Sequence, residues 1–333
     1  AMAALGEGAP PGRHVSYAQA SEFLRKCRAR PERMRLLCSK AAVREGGDRL
    51  VVTVEVAPGG PVVEVQETSM AEGWTGCRFS PSALWLAVEL ANDPQLRPVG
   101  GERRLHGLEL GCGLALVGLT MHALGLDTTL TDCLPGHLRN LRGLCARLGG
   151  GAAELRVRCL DWQEEAERSG RVCTVDAGSP ENSGASATEE LARGVGVERL
   201  DSAERHSFDL VAASDVLYEE HHARLLPLVL QTWLRPGGVW CIALAIRDAD
   251  MMVRFVDGLH AAGLMEPAVR EAAGDDASYA VVWKSVCLPA RCAFCSELAP
   301  SGEGAARACT LPLLRAVIRE HEGGAVLLHG RRP

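Results

Sequence analysis

The chain has 333 residues, of which 47% are hydrophobic and 23% are charged, so it carries enough apolar material to bury a full globular core. With a formal net charge of −6, the chain has no excess of basic residues that would indicate binding to DNA or RNA. No apolar run approaches the roughly 20 residues of a membrane span. Because the start also lacks the pattern of a signal peptide, we expect a soluble monomer of the cytoplasm or nucleus that binds neither nucleic acid nor membrane.

The N-terminal third of the sequence is expected to form a lead-in region ahead of the main domain. Residues 1–15 are rich in Gly, Pro and Ala, which indicates disorder. Residues 16–45 carry apolar side chains at helical spacing, which predicts an N-terminal helix. Two β-branched runs then flank a Pro/Gly turn between residues 49 and 66, a pattern typical of a β-hairpin. A helix that starts at a proline is expected near residues 80–90, and the lead-in region ends near residue 100.

From residue 101 to residue 288 the rhythm is strand, loop, helix, strand. Strands alternating with helices of 10 to 15 residues indicate βαβ units and a parallel sheet, so we predict an α/β, Rossmann-like fold with helices on both faces. Residues 166–206 interrupt the rhythm with Gly, Ser, Glu and Asn, which predicts a flexible insertion. Residues 289–333 are expected to form a C-terminal extension that adds a hairpin or a helix, and residues 311–318 would form that helix.

The 13 cysteines are expected to be free thiols, because they are scattered through predicted helices and strands. Five of them lie inside apolar patterns, where a thiol behaves as a small hydrophobe: Cys112, Cys133, Cys145, Cys159 and Cys241. Cys292-x-x-Cys295 is a single close pair, whereas structural zinc usually has two such pairs. The sequence therefore predicts no metal site.

Ligands of open α/β sheets bind at the carboxyl ends of the strands, and the first predicted strand ends in Glu109-Leu-Gly111-Cys112-Gly113. Glycines let the backbone pass close beneath a ligand, and the N–H groups at the start of the next helix favour a carboxylate. A dinucleotide site would require G-x-G-x-x-G, but the next glycine here, Gly118, comes two places too late. This spacing disfavours NAD without excluding it.

The second and third strands end in further polar and aromatic residues. Asp132 lies 19 residues after Gly113, where a carboxylate can accept hydrogen bonds from a ribose diol; a cap for the next helix is the alternative. Asp161 can accept from an adenine amino group, and Trp162 can stack on the base, unless it is a core or rim tryptophan.

The fourth strand ends in Ser214-Asp215-Val-Leu-Tyr218. A carboxylate and an aromatic ring at the mouth of a sheet can face a cationic centre such as a sulfonium, although a helix cap and a surface tyrosine are the alternatives. Four such groups in order on successive strands indicate one cofactor site.

These motifs resemble those of the family 16 methyltransferases, which are seven-strand enzymes and mostly protein-lysine methyltransferases. The resemblance covers about residues 50–286, and its most specific part is the D-x-x-Y motif, Asp215-Val-Leu-Tyr218. It implies S-adenosylmethionine as the cofactor, with the methionyl part held by Glu109, Gly111, Cys112 and Gly113, the ribose by Asp132, the adenine by Trp162 with Asp161 beside it, backbone contacts from Ser214, and an acceptor channel lined by Asp215 and Tyr218. Arg247 follows strand five, where relatives often carry an arginine.

One departure from the family pattern lies in the helix before the first strand. The family opens this helix with G-x-x-x-W-x-[SA]-A, whereas this chain has serine, Ser80, at the tryptophan position. The predicted function is transfer of a methyl group from S-adenosylmethionine to a lysine of a protein substrate. The alternatives are a protein histidine or a small molecule as acceptor, a catalytically silent binding module, and, third, an NAD oxidoreductase.

Overall fold

The structure is a computed structural model that describes residues 35–38, 41–46, 49–55, 62–68, 76–92, 103–148, 151–170, 192–265, 278–279, 282–286 and 309–333. The strands, in chain order, are β1 (Arg35–Cys38), β2 (Ala41–Gly46), β3 (Arg49–Glu55), β4 (Val62–Gln66), β5 (His106–Leu110), β6 (Asp127–Asp132), β7 (Leu155–Cys159), β8 (Phe208–Ser214), β9 (Leu234–Ala245), β10 (Ser278–Tyr279), β11 (Val282–Val286), β12 (Cys309–Thr310) and β13 (Ala325–Arg331). The helices are α1 (Pro81–Asn92), α2 (Leu116–Ala123), α3 (Pro135–Leu148), α4 (Trp162–Arg168), α5 (Glu220–Trp233), α6 (Ala249–Ala261) and α7 (Leu311–Glu320).

The central sheet has seven strands in the order β11–β13–β9–β8–β5–β6–β7. Strands β5 to β9 pair in parallel, and β13 runs antiparallel to both β9 and β11. The predicted Rossmann-like, seven-stranded sheet is thereby confirmed. The chain moves outward from β5 to β7 on one side and from β8 to β9 on the other, so the strand order reverses between β5 and β8, which is where α/β sheets bind ligands.

Both faces of the sheet are buried, as alternate residues of β8 demonstrate. Leu210 and Ala212 join the apolar cluster that contains residues of α1 and α2, whereas Val211 and Ala213 join the cluster that contains residues of α5 and α6. A strand covered on both faces requires a continuous apolar run, which is the sequence that β8 has. The helices therefore fix the carboxyl ends of the parallel strands from both sides.

The helix predicted over residues 16–45 is wrong at its C-terminal end, because residues 35–38 and 41–46 form β1 and β2 of a four-stranded antiparallel sheet with β3 and β4. Gly46 pairs with Arg49 across a two-residue connection whose sequence, Gly-Asp, is typical of tight hairpins. The β3–β4 hairpin was predicted and is confirmed. Residues 1–34 lie outside the described residues.

The flexible insertion predicted over residues 166–206 is too long at both ends. Helix α4 continues to Arg168, and the segment after residue 191 contributes Ala192 and Val197 to the core. Cys159 N donates to Glu198 O at 2.8 Å, and Leu200 N donates to Cys159 O at 3.1 Å, so this segment covers the edge of β7. Residues 171–191 of the predicted insertion lie outside the described residues.

The boundary predicted at residue 288 is also wrong, because β13 lies inside the central sheet, between β9 and β11. The predicted helix at 311–318 is confirmed as α7, whose first turn is capped by Thr310 Oγ1 accepting from Leu313 N at 3.4 Å. Cys292 and Cys295 fall outside the described residues, within which no group of metal-ligating side chains is found. None of the described helices is both long and apolar enough to cross a membrane.

Candidate functional site

A cleft of about 370 Å³ opens at the carboxyl ends of β5, β6, β7 and β8, within the size range of small-ligand sites. All ten residues that the sequence predicted for the site line it: Glu109, Gly111, Cys112, Gly113, Asp132, Asp161, Trp162, Ser214, Asp215 and Tyr218. The structure therefore brings together every predicted site residue, from four strands, at the point where the strand order reverses.

The floor of the cleft is the glycine loop that follows β5. Gly111 and Gly113 have φ values of +59° and +48°, in the left-handed region that glycine adopts without a steric cost. A Cβ on Gly113 would lie 3.0 Å from the carbonyl oxygen of Gly76, so the backbones of the loop and of the segment before α1 are in direct contact. A side chain at either position would disturb the floor.

Glu109 and Gly118 fasten β5 to α2. Glu109 Oε2 accepts from Gly118 N at 2.7 Å, and burial of the carboxyl group raises its pKa to about 8. A Cβ on Gly118 would lie 2.2 Å from Leu130 Cδ2 and 2.6 Å from Glu109 Oε2. Gly118 thus performs the close helix-to-strand packing that the third glycine of a dinucleotide motif performs, in spite of its different spacing.

Asp132 links β6 to the glycine loop. Its Oδ2 accepts from Gly113 N at 3.0 Å, and its Oδ1 accepts from Cys133 N at 2.8 Å and Leu134 N at 2.9 Å. The two Oδ1 donors belong to the turn before α3 and not to the first turn of the helix, so Asp132 orders this turn instead of acting as the N-terminal cap that was the alternative. Three of the roughly four acceptor positions of the carboxylate are occupied, so one remains for a hydroxyl group in the cleft.

Asp161 and Trp162 form the wall at the end of β7. Asp161 is the N-cap of α4, with Oδ1 accepting from Glu164 N at 3.1 Å. The Trp162 ring packs edge-to-face with His222, with 5.6 Å between the ring centroids. Trp162 therefore lies at the wall of the cleft, half-buried, with its ring close to Gly111.

At the end of β8, Asp215 adopts φ +54°, and its backbone N donates to Ala243 O at 2.8 Å. The Asp215 carboxylate is buried and paired with Arg247, with 2.7 Å between Oδ1 and Nη1 and 2.8 Å between Oδ2 and Nη2. Arg247 Cζ also lies 5.1 Å from the centroid of the Tyr218 ring. Burial, with Asp215 nearby, raises the pKa of Tyr218 to about 12, so its phenol is neutral at physiological pH.

Ser80, at the position where the family 16 methyltransferases that the sequence resembles have tryptophan, lines the cleft as the N-terminal cap of α1. Its Oγ accepts from Ala83 N at 3.1 Å, and Pro81 is the first helical residue, as expected of a proline with a preset φ. The sequence predicted the proline start of this helix but not the serine cap, which a serine directly before the proline indicates.

Two histidines that no sequence motif indicated line the other side of the cleft. His222 Nδ1 accepts from the backbone N of Tyr218 and of Glu219, both at 3.3 Å, and burial together with His221 lowers the pKa of His222. Its ring is therefore neutral, with the proton on Nε2. His221 Nδ1 lies 3.3 Å from Glu219 Oε2.

A buried carboxylate, paired with a partly exposed arginine, supports the wall that contains Ser80. Glu67, 1% exposed, accepts from Phe79 N through Oε1 at 3.1 Å and from Arg78 Nη1 through Oε2 at 2.8 Å. Neither residue was predicted as part of the site, because Glu67 follows a strand in the lead-in region and Arg78 matches no motif residue. Arg78 also lines the cleft.

No protein-family model matches the chain, and no curated protein matches it. Among solved structures, geranyl diphosphate methyltransferase in complex with SAM is 11% identical with a TM-score of 0.38, and the match covers 75% of this chain and 90% of that chain. The CurJ carbon methyltransferase is 13% identical with a TM-score of 0.39, covering 76% and 55%. Precorrin-6y C5,15-methyltransferase from Geobacter metallireducens GS-15 is 13% identical with a TM-score of 0.34, covering 74% and 87%. Similarities this weak do not bear on cofactor, reaction or acceptor, so the functional assignment depends on the site itself.

Proposed function

We propose that the protein is an S-adenosylmethionine-dependent methyltransferase that acts on a lysine side chain of a protein. The observation that carries the proposal is the convergence of ten predicted residues, from the ends of four parallel strands, on one cleft at the reversal of strand order. The resemblance of Asp215-Val-Leu-Tyr218 to the D-x-x-Y motif supports lysine as the acceptor.

The residues of the cleft fit the chemical parts of this cofactor. Asp132 keeps one acceptor position for a ribose hydroxyl, and Trp162 offers an aromatic surface for a base. The carboxylates of Asp132 and Asp161 suit a ligand with ammonium and sulfonium groups, whereas the Asp215 carboxylate is paired with Arg247. When bound, the cofactor supplies a methyl group activated by its positive sulfur.

The protein's contribution is alignment and the protonation state of the acceptor. Orientation of two reactants can supply several kcal/mol of a barrier, up to about 7–11 kcal/mol in well-aligned systems. A lysine amine, with a pKa near 10.4 in water, must be neutral to act as a nucleophile. The Asp215 carboxylate is already paired with Arg247, so loss of solvent against the Tyr218 ring favours the neutral amine.

A neutral acceptor, either a protein histidine or a small molecule, is a second candidate with an observation of its own. Both oxygens of Asp215 lie within 2.8 Å of Arg247, so the carboxylate is already compensated and does not need a cationic partner. Identification of the product that the purified protein labels distinguishes the two candidates.

The experiment combines cofactor binding with methyl transfer. Calorimetry with S-adenosylmethionine tests the cofactor, and tritiated methyl transfer into a cell lysate, followed by mass spectrometry, identifies the acceptor. We expect label on a protein lysine, abolished by Asp215→Asn with cofactor affinity nearly intact. Asp257→Asn is the matched control, because Asp257 pairs with Arg315 outside the cleft.

Each outcome decides between the candidates. Label on histidine or in the low-mass fraction would replace the lysine assignment with the second candidate. Binding without transfer to any acceptor would favour a binding module. Absence of cofactor binding would overturn the methyltransferase proposal altogether.

A further inference from the structure

Arg78 projects from the segment that packs on the glycine loop. This segment includes Gly76, whose Cα would lie 3.2 Å from a Cβ on Gly113, so it forms the cleft wall directly beside the loop. The Arg78 guanidinium is 44% exposed, whereas the Glu67 carboxylate that holds it is 1% exposed. A buried carboxylate with two donors on separate oxygens fixes the position of the guanidinium better than a surface ion pair does.

The positive charge of Arg78 is opposite in sign to the carboxylates that line the cleft. It is the only lysine or arginine among the cleft-lining residues within the described part of the chain, and the other full charges there are carboxylates. A ligand that carries both cationic groups and a carboxylate therefore finds many partners for its cations and one permanent cation for its carboxylate.

The alternative anion site, the N-terminus of α2, is already used in part. Ala115 precedes this helix and provides no side-chain cap, and the N–H of Gly118 in the first turn is donated to Glu109. Helix N-termini bind anions through such free N–H groups, and here an internal carboxyl group takes one of them. A second carboxylate at the same turn would compete with Glu109, which increases the need for another donor.

We infer that Arg78 binds the carboxylate of the cofactor's methionyl group and that Glu67 is the positioning residue for this contact. The inference rests on the proposed function, because it assumes that S-adenosylmethionine is the ligand of the cleft. It also gives this chain a cofactor contact on the same wall where serine replaces the family's tryptophan.

The test compares two ligands that differ in one group. S-adenosylmethionine and decarboxylated S-adenosylmethionine share the adenosine, the sulfonium and the amine, and only the first has the carboxylate. Dissociation constants are measured by calorimetry for the wild type, Arg78→Ala, Arg78→Lys and Glu67→Gln. Arg254→Ala is the matched control, because Arg254 is 45% exposed and pairs with Glu220 outside the cleft.

We expect the wild type to prefer the carboxylated ligand and Arg78→Ala to reduce that preference by about 10-fold or more, as for a lost hydrogen bond between charged groups. Arg78→Lys should retain part of the preference, Glu67→Gln should lose part of it, and Arg254→Ala should leave it unchanged. A purely structural ion pair would lower the melting temperature and leave the preference intact.

The two proposals fail in different ways. A wild type that does not bind S-adenosylmethionine overturns the proposed function and this inference with it. A wild type that binds, with the same preference in the variants, overturns the role of Arg78 alone. If Arg78→Ala does not fold, an unchanged preference in both Arg78→Lys and Glu67→Gln is the overturning result.

Discussion

Asp215 and Arg247 connect the ends of two neighbouring parallel strands, because Asp215 directly follows β8 and Arg247 comes two residues after β9. Arg247 Nη2 donates to Asp215 Oδ2 at 2.8 Å, and Nη1 lies at an ion-pair distance of 2.7 Å from Oδ1, at the mouth of the cleft. The carboxylate is buried and the guanidinium is 44% exposed beside the Tyr218 ring. The arrangement places a compensated charge pair where the proposed acceptor enters.

Removal of Arg247 should destabilise the fold, because it leaves the buried Asp215 carboxylate without its partner. For Arg247→Met we expect the free energy of unfolding to fall by about 1–3 kcal/mol, less than for a fully buried pair since the guanidinium is partly in solvent. Urea denaturation measures the change. Asp215→Asn in the same chain should recover part of the loss, and Arg254→Met, which breaks an exposed pair, should change stability by less than about 0.5 kcal/mol. Equal stability of Arg247→Met and wild type would contradict the role of the pair.

The pKa of Glu109 predicts a pH dependence of stability. Burial raises this pKa from 4.5 to about 8, so the folded state holds a proton that the unfolded state has released above pH 4.5. The stabilisation is therefore complete below about pH 4.5 and is lost as the pH rises through about 8. Glu109→Gln, which keeps an acceptor for Gly118 N, should remove this dependence.

The measurement is the free energy of unfolding of wild type and Glu109→Gln at several pH values between 5 and 9. Relative to the variant, the wild type should lose stability with rising pH, by an amount on the order of 1–4 kcal/mol. Parallel curves for the two proteins would mean that Glu109 has the same pKa in the folded and unfolded states.

The sequence predicts those residues of the site whose positions depend on the order of the parallel strands. Each predicted residue lies at the carboxyl end of a parallel strand or within four positions after it, and these ends meet at one edge of the sheet. Residues that act through contacts distant in sequence were not predictable in this way. Arg78 depends on Glu67, 11 positions earlier in the chain, and the ring of His222 is fixed by backbone N–H groups rather than by a motif.

In the fold, too, elements with a local sequence pattern were predicted, and elements placed by contacts distant in sequence were not. The alternation of strands and helices predicted the parallel strands: β8 is an apolar run buried on both faces, and β7 alternates buried residues with half-buried arginines. Strand β13 was missed, because its place between β9 and β11 is set by pairing with strands that precede it in the chain. The apolar spacing of residues 16–45 predicted a helix, but pairing with β3 makes residues 41–46 a strand, and pairing with β2 makes residues 35–38 another.

Two glycine-to-alanine substitutions in helices should have opposite effects. In α2, a Cβ at Gly118 would lie 2.2 Å from Leu130 Cδ2, so Gly118→Ala should destabilise the protein by about 1–3 kcal/mol through overpacking. In α3, a Cβ at Gly143 would meet only Arg147 Nη1, at 3.6 Å, so Gly143→Ala should stabilise by about 0.4–1 kcal/mol. Thermal and urea unfolding give both values. A stabilising Gly118→Ala would show that α2 can move away from the sheet, contrary to the packing described.

The last prediction concerns Ser80, whose hydroxyl oxygen caps α1 while the residue lines the cleft. Ser80→Ala should lower the free energy of unfolding by about 0.5–2 kcal/mol, the usual cost of a lost N-terminal cap, whereas Ser80→Asp should keep it because aspartate also accepts from the first turn. Ser80→Trp introduces the tryptophan that the family 16 methyltransferases have at this position, and it removes the cap. The variant should therefore lose stability as Ser80→Ala does. Unfolding in urea, with affinity for S-adenosylmethionine measured on the same samples, separates the two effects. If Ser80→Trp proves as stable as the wild type, the cap is not what serine contributes at this position.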